Sequence, residues 1–455
     1  MEMVLEFLRD VLSQPALLIG IMSCIGLIAL KRPFHKVMTG TLKPILGYLM
    51  LAAGAGVIVS NLDPLGKMIE HGFHITGVVP NNEAIVAVAQ KVLGVETMSI
   101  LVVGLLMNLC IARFTKFKYV FLTGHHSLFM ACLMSAVLGT AGLSGMELIL
   151  VGGFLMGAWS AISPAIGQSY TSKVTDGDEI AIGHFGSLGY YLSAWVAKYV
   201  GKADDSTEDI EIPEKWGFLR DSTLSTALTM IVFYLIAAFA AGSEFVATLS
   251  GEMSPYLYAV MSAMNFAVGV TIVYSGVRMI LGDLIPAFQG IATKIIPNAI
   301  PAVDCAVFFT YAPTAVVLGF ISSFIGGIIG MLILGAVGGV LIIPGLVPHF
   351  FCGATAGIYG NATGGRRGAA VGAFLNGLAI TFLPAMALPV LGQLGFQNTT
   401  FGDADFAVMG LVLGNAYEWV GMAGIYGIVA IAALVLIIPN FIKTKGKVIN
   451  YVEEE

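Results

Sequence analysis

Charge is what this 455-residue chain has least of. Asp, Glu, Lys and Arg make up 11% of it, against 57% hydrophobic residues, and a soluble domain carries roughly twice that share of charge. The shortage excludes a soluble globular protein, and the lack of a basic stripe excludes a nucleic-acid surface. Cysteine is scarce too. Cys24, Cys110, Cys132, Cys305 and Cys352 stand apart in apolar sequence, with no C-x-x-C pair for zinc and no disulfide framework. They read as small buried hydrophobes. No Walker motif or nucleophile elbow is present, so nothing points to ATP use, and no metal or cofactor is expected.

Long uncharged runs take the place of charge. Examples are "ALLIGIMSCIGLIAL" (16–30) and "YGIVAIAALVLIIPNFI" (426–442), and the mean hydropathy is +0.89. Several runs approach the roughly 18–20 residues that cross a bilayer as a helix. The expected fold is an all-α polytopic membrane protein of about eleven spans, centred roughly on residues 23, 51, 105, 130, 157, 235, 268, 314, 335, 382 and 427. The opening "MEMVLEFLRDVLSQ" lacks the basic region and cleavage site of a removable signal, so the first span should be retained.

Orientation follows the lysines and arginines at the span ends. "KRPFHKVMTGTLK", "RFTKFK", the long loop 171–221, "GGRRG" and "KTKGK" all fall on one side if the N-terminus lies outside and the C-terminus in the cytoplasm.

Two stretches, 61–90 and 282–309, interrupt the hydrophobicity and resemble each other. Each has a proline (Pro64, Pro286), then an acid about 18–19 positions on (Glu83, Asp304), then histidine: His125 and His126 in one half, His349 in the other. They suggest inverted repeats, roughly 40–170 and 262–395, with Pro- and Gly-broken or re-entrant helices, the usual pointer to a transporter's midplane site.

An ionisable group at membrane depth is costly and usually marks a pathway or site. Glu83 and Asp304 qualify, although each is also placed to cap a helix N-terminus. His125 and His126 are neighbours about 100° apart on a helix, so only one of them can face a cavity squarely. His184, in "TDGDEIAIGHFGSLGYYLSAW" (175–195), would by itself be an ordinary surface histidine.

Taken together, "MTGTLKPILG" (38–47), "LTGH" (122–125), "TDG…IGH" (175–184), residues 276–320, "LIIPGLVPHFF" (341–351) and "GGRRGA" (364–369) resemble the ascorbate-specific enzyme IIC of the bacterial phosphoenolpyruvate-dependent phosphotransferase system. The resemblance runs from residue 1 to about 440. It implies a homodimeric membrane domain, 1–442, with a cytoplasmic tail, 443–455, in the bacterial inner membrane. A core domain would carry substrate by an elevator movement against a dimerisation domain. Enzyme IIB, phosphorylated on a cysteine and supplied through IIA, HPr and enzyme I, would phosphorylate the sugar. No cysteine here fits that role, so the donor belongs to another chain.

The family's ligand positions fall on Asn82 and Glu83, His125 to Phe129 (with His126 an additional histidine), His184 and Phe185, and Asp304. Phe129 and Phe185 stand where characterised members carry glutamines, and Asn82-Glu83 replaces a Thr-Tyr pair. Another sugar, sugar acid or polyol is therefore a second reading for the substrate. An ion-coupled carrier using Glu83 and Asp304 is a third.

Overall fold

The computed structural model describes residues 11, 14–74, 77, 78, 80, 82–210, 222–392 and 400–441. The tail 443–455 and the end of the loop, 211–221, lie outside them.

The chain is helical nearly throughout. Its helices are α1 (Pro15–Ala29), α2 (Phe34–Phe73), α3 (Asn82–Phe114), α4 (Gly124–Thr140), α5 (Gly145–Ile166), α6 (Gln168–Thr175) and α7 (Ser187–Val200). After them come α8 (Ser222–Ala241), α9 (Ser243–Ser250), α10 (Pro255–Lys294), α11 (Pro313–Ala336), α12 (Leu346–Gly392), α13 (Ala404–Val420) and α14 (Met422–Ile437). Among the described residues, seven helices are long and apolar enough to cross a membrane, or eight if α8 and α9, bent by 117°, form one broken span. The chain is an all-α polytopic membrane protein.

Some expected boundaries differ. The centres at 314 and 335 fall on the single helix α11, because residues 305–310 form a separate 3-10 turn before Pro313. Helix α13 and the first arm of α12 were not anticipated. Pro64 and Pro286 do not end their helices, which continue to Phe73 and Lys294. The segment 171–221, expected as a loop, contains part of α6, a strand and the whole of α7. Ser187, Gly189, Tyr190, Tyr191, Ser193, Ala194 and Ala197 of α7 are buried. Cys132, Cys305 and Cys352 are buried as expected, whereas Cys110 is exposed.

Helices α2 and α10, each 40 residues long, pack side by side with α1 and α8 against the pair. Gly47 lies on Gly276 and Gly54 on Gly269; a Cβ on Gly54 would come within 2.7 Å of the Gly269 carbonyl oxygen. The pairing order makes the two helices antiparallel, and small residues let membrane helices approach this closely. In the rest of the molecule α12 packs on α11 and α7, and α3 packs on α4 and α5. Helix α12 is broken at Gly364 and Gly365, where the Gly365 φ of +59° is a conformation that favours glycine.

Three short strands sit inside this second group: β1 (Tyr119–Phe121), β2 (Ala181–Ile182) and β3 (Ile300–Val303). They form one parallel sheet in the order β1-β3-β2, with Phe121 opposite Ala302 and Ile182 opposite Val303. Two further backbone bonds, Leu122 N–H to Ala302 O and Gly183 N–H to Val303 O, extend the ladder to the strand ends. Backbone polar groups at membrane depth must be paired, and non-helical chain there is tolerated only where protein or a cavity surrounds it.

Candidate functional site

Parallel strands all end on the same side, and that geometry assembles the site. After β1 come Thr123, Gly124, His125 and His126 at the start of α4; after β2 come Gly183, His184 and Phe185 before α7. After β3 comes Asp304, whose carboxylate accepts the Ala306 N–H at 3.0 Å and caps the 3-10 turn 305–310. Ligands of open parallel sheets bind outside the carboxyl ends of the strands, and helix N-termini there favour polar, electron-rich groups.

Those ends open into a cavity of about 1110 Å³ lined by His125, His126, Phe129, His184, Asp304 and Asn82. Tyr48 and Leu51 of α2 form the opposite wall, and Asp63, Lys67 and Glu70 lie farther along the same helix. The volume exceeds what a sugar requires, and the polar groups are few and convergent, as in most small-molecule sites.

The two adjacent histidines have different surroundings. His125 is 39% exposed at its side chain and holds Nε2 3.4 Å from Asp304 Oδ2 and Nδ1 3.1 Å from the Tyr48 hydroxyl. His126 is buried at 3%. Its ring stacks on Phe406, with centroids 5.6 Å apart, and lies against His184 at 3.7 Å, while Nδ1 accepts the Phe185 N–H at 3.3 Å. His184 Nδ1 accepts the Gly186 N–H at 3.2 Å and lies 2.8 Å from the Tyr190 hydroxyl. Since a main-chain N–H can only donate, both Nδ1 atoms carry lone pairs and both Nε2 atoms carry protons.

Proton accounting also bears on metals. His126, His184 and Asp403 offer ligand atoms within 4.8 Å of one another, as do His184, Asp304 and Cys305. With Nδ1 occupied and Nε2 protonated, the two buried rings are arranged as hydrogen-bond donors rather than as ligands.

Phe129 packs edge-on to His125, with centroids 5.8 Å apart, and gives the cavity an apolar wall. Phe185 does not reach the cavity lining. Its ring is fully buried and stacks on Phe121 at 4.6 Å, so it serves the site through its backbone. Asn82 turns its amide to its neighbours: Nδ2 donates to Asp403 Oδ2 at 2.6 Å, and Oδ1 accepts the Gly402 N–H at 2.9 Å. The Glu83 side chain lies outside the described residues. His349, which the sequence sets against His125 as a repeat counterpart, is a core residue paired with the Ser323 hydroxyl at 2.9 Å.

Two acids went unnoticed in the sequence. Asp403 is buried on the cavity wall, 2.8 Å from Cys352 Sγ and 3.9 Å from His184 Nδ1. Asp405 accepts from the Ser187 hydroxyl at 2.8 Å, the Leu188 N–H at 2.9 Å and Trp159 Nε1 at 3.3 Å. It caps the start of α7, three residues after His184. Their signal was present in "FGDADFAVMGL" (401–411), two acids against an apolar helix start.

A family model described as the PTS system sugar-specific permease component, EIIC-GAT, matches residues 10–405. The chain is also 28% identical, over 474 aligned positions, to a Mycoplasma pneumoniae protein named as an ascorbate-specific PTS system EIIC component. That alignment takes in 90% of this chain and 70% of its relative. Membrane-crossing helices around a cavity with a few convergent polar groups accord with a match of this extent, and the chain belongs to the sugar-specific permease components of the phosphotransferase system.

Proposed function

We propose that this chain imports a small polyhydroxylated substrate, L-ascorbate being the first candidate, and presents it to a phosphorylated enzyme IIB partner. The observation that carries the reading is the convergence of His125, His184 and Asp304 from three strand ends onto one cavity. The substrate class rests on the donor and acceptor set: the protonated Nε2 of His184, the Asp304 carboxylate, and the flat wall of Phe129. Asp403 adds a second acceptor for hydroxyl protons. Ascorbate is what the Mycoplasma relative is named for.

Phosphoryl transfer asks mainly for positioning and electrostatics. His125, oriented by Asp304, is the group placed to receive the proton of the acceptor hydroxyl. As that hydroxyl oxygen bonds to phosphorus, the S–P bond of the partner's phosphocysteine breaks and its electron pair stays on sulfur. The strand-end group with α3–α7 and α11–α14 is the moving core of an elevator, and α1, α2 and α8–α10 are the dimerising scaffold. The antiparallel pair α2–α10 supports inverted repeats. With the basic segments cytoplasmic, the N-terminus lies outside, the C-terminus inside, and the cavity's arm along Asp63, Lys67 and Glu70 faces outward.

The test separates the neighbouring histidines. Calorimetric titration of purified protein with L-ascorbate should show His125→Ala losing about 1–3 kcal/mol of binding, roughly five- to 150-fold in affinity. His126→Ala should act chiefly on thermal stability, since its ring fills a buried site. Loss of binding in His126→Ala with retention in His125→Ala would remove His125 from the site.

A further inference from the structure

Among the described residues, His125 meets the proposed scaffold through one polar contact, and that contact occupies the atom the proposed chemistry requires. Asp304 faces Nε2 at 3.4 Å, which favours the proton on that nitrogen. Nδ1 then carries the lone pair, and the Tyr48 hydroxyl 3.1 Å away donates to it. A neutral imidazole has a single such lone pair, so a sugar hydroxyl and Tyr48 compete for it.

Tyr48 belongs to the α2–α10 pair, which the close approach of Gly47 and Gly276 fixes in place. His125 belongs to the strand-end group.

We infer that Tyr48 is a positioning residue that masks His125: its hydroxyl holds the Nδ1 lone pair while the strand ends rest on α2, and releases it when a sugar hydroxyl displaces it or the two groups separate. This deepens, and rests on, the reading of His125 as the proton acceptor in phosphoryl transfer. Masking delays a competent base until substrate is aboard, and it makes loading break the polar tie between the two groups of helices.

The test uses full-length protein in lipid, labelled with ¹⁵N-histidine, with the His125 resonances identified by their loss in His125→Ala. In ligand-free Tyr48→Phe, the Nδ1 resonance of His125 should move several ppm toward the value of a free lone pair, and an unchanged resonance overturns the proposal. The second arm measures phosphorylation of L-ascorbate by phosphorylated IIB. Tyr48→Phe should lower KM about three- to tenfold, the worth of one competing hydrogen bond, with kcat maintained. A KM that rises, or a kcat that falls tenfold, would make Tyr48 a helper and sink the idea. 3-Fluorotyrosine at position 48, a stronger donor of nearly the same shape, should raise KM, and a lowered KM counts against masking. If the wild-type protein yields no phosphorylated product, the functional reading has failed, and the ligand-free resonance alone decides whether Tyr48 holds His125.

Discussion

Asp304→Asn is expected to reduce IIB-dependent sugar phosphorylation by about 10²–10⁴-fold while leaving the fold intact. The amide keeps the volume of the carboxylate, and its oxygen can still cap the Ala306 N–H. What changes is the group facing His125 Nε2, 3.4 Å away. An amide nitrogen there donates, so Nε2 must accept and the ring proton moves to Nδ1. That nitrogen then has no lone pair for a sugar hydroxyl. The same substitution beside a catalytic histidine costs a serine protease about 10⁴ in kcat through the wrong tautomer. Substrate affinity should fall far less than kcat, because the remaining polar lining is untouched. Equal losses in both would mean that Asp304 only binds, and the histidine would lose its assigned part in the chemistry.

Asp405→Ala is expected to produce the largest loss of stability, about 3–5 kcal/mol. The carboxylate is fully buried and accepts from Ser187, the Leu188 N–H and Trp159, on two different helices. Its own N–H donates to the Phe185 carbonyl oxygen at 2.9 Å. Removing the side chain strands three donors where water does not compensate them, at about 1–3 kcal/mol each. His184 stands three residues before the start of α7, so sugar binding should fall in parallel. Asp405→Asn keeps one accepting oxygen and should lie between wild type and Ala. Thermal unfolding of the detergent-solubilised proteins, with ascorbate titrations alongside, gives both readouts. An Ala variant as stable as wild type would show that these donors find other partners.

Much of the site was legible because of where polar residues sit. His125, His126, His184 and Asp304 interrupt apolar sequence, and such interruptions at membrane depth are informative. Adjacency also required His125 and His126 to diverge, and they do: one enters the cavity and the other packs on Phe406. The strands were not legible. "YVF", "AI" and "IPAV" are too short for a two-residue period to stand out from apolar flanks. Without them, nothing explained why three distant segments converge. Asp403 and Asp405 were lost because an acid pair after glycine reads as an ordinary polar turn, and Tyr48 because one hydroxyl on an apolar helix leaves no periodic trace. Phe185 misled in the other direction. Its position beside His184 was informative, but strand geometry points its ring into the core and leaves only its backbone at the site.

This permease is expected to deliver substrate for phosphorylation rather than concentrate it unchanged. The direct measurement is uptake of radiolabelled L-ascorbate into vesicles carrying the purified chain, with phosphorylated IIB either enclosed or omitted. With IIB, label should accumulate inside as the phosphate ester. Without it, internal label should not exceed the external concentration. Free ascorbate gathered against its gradient in vesicles lacking IIB would contradict the account and point to an ion-coupled carrier.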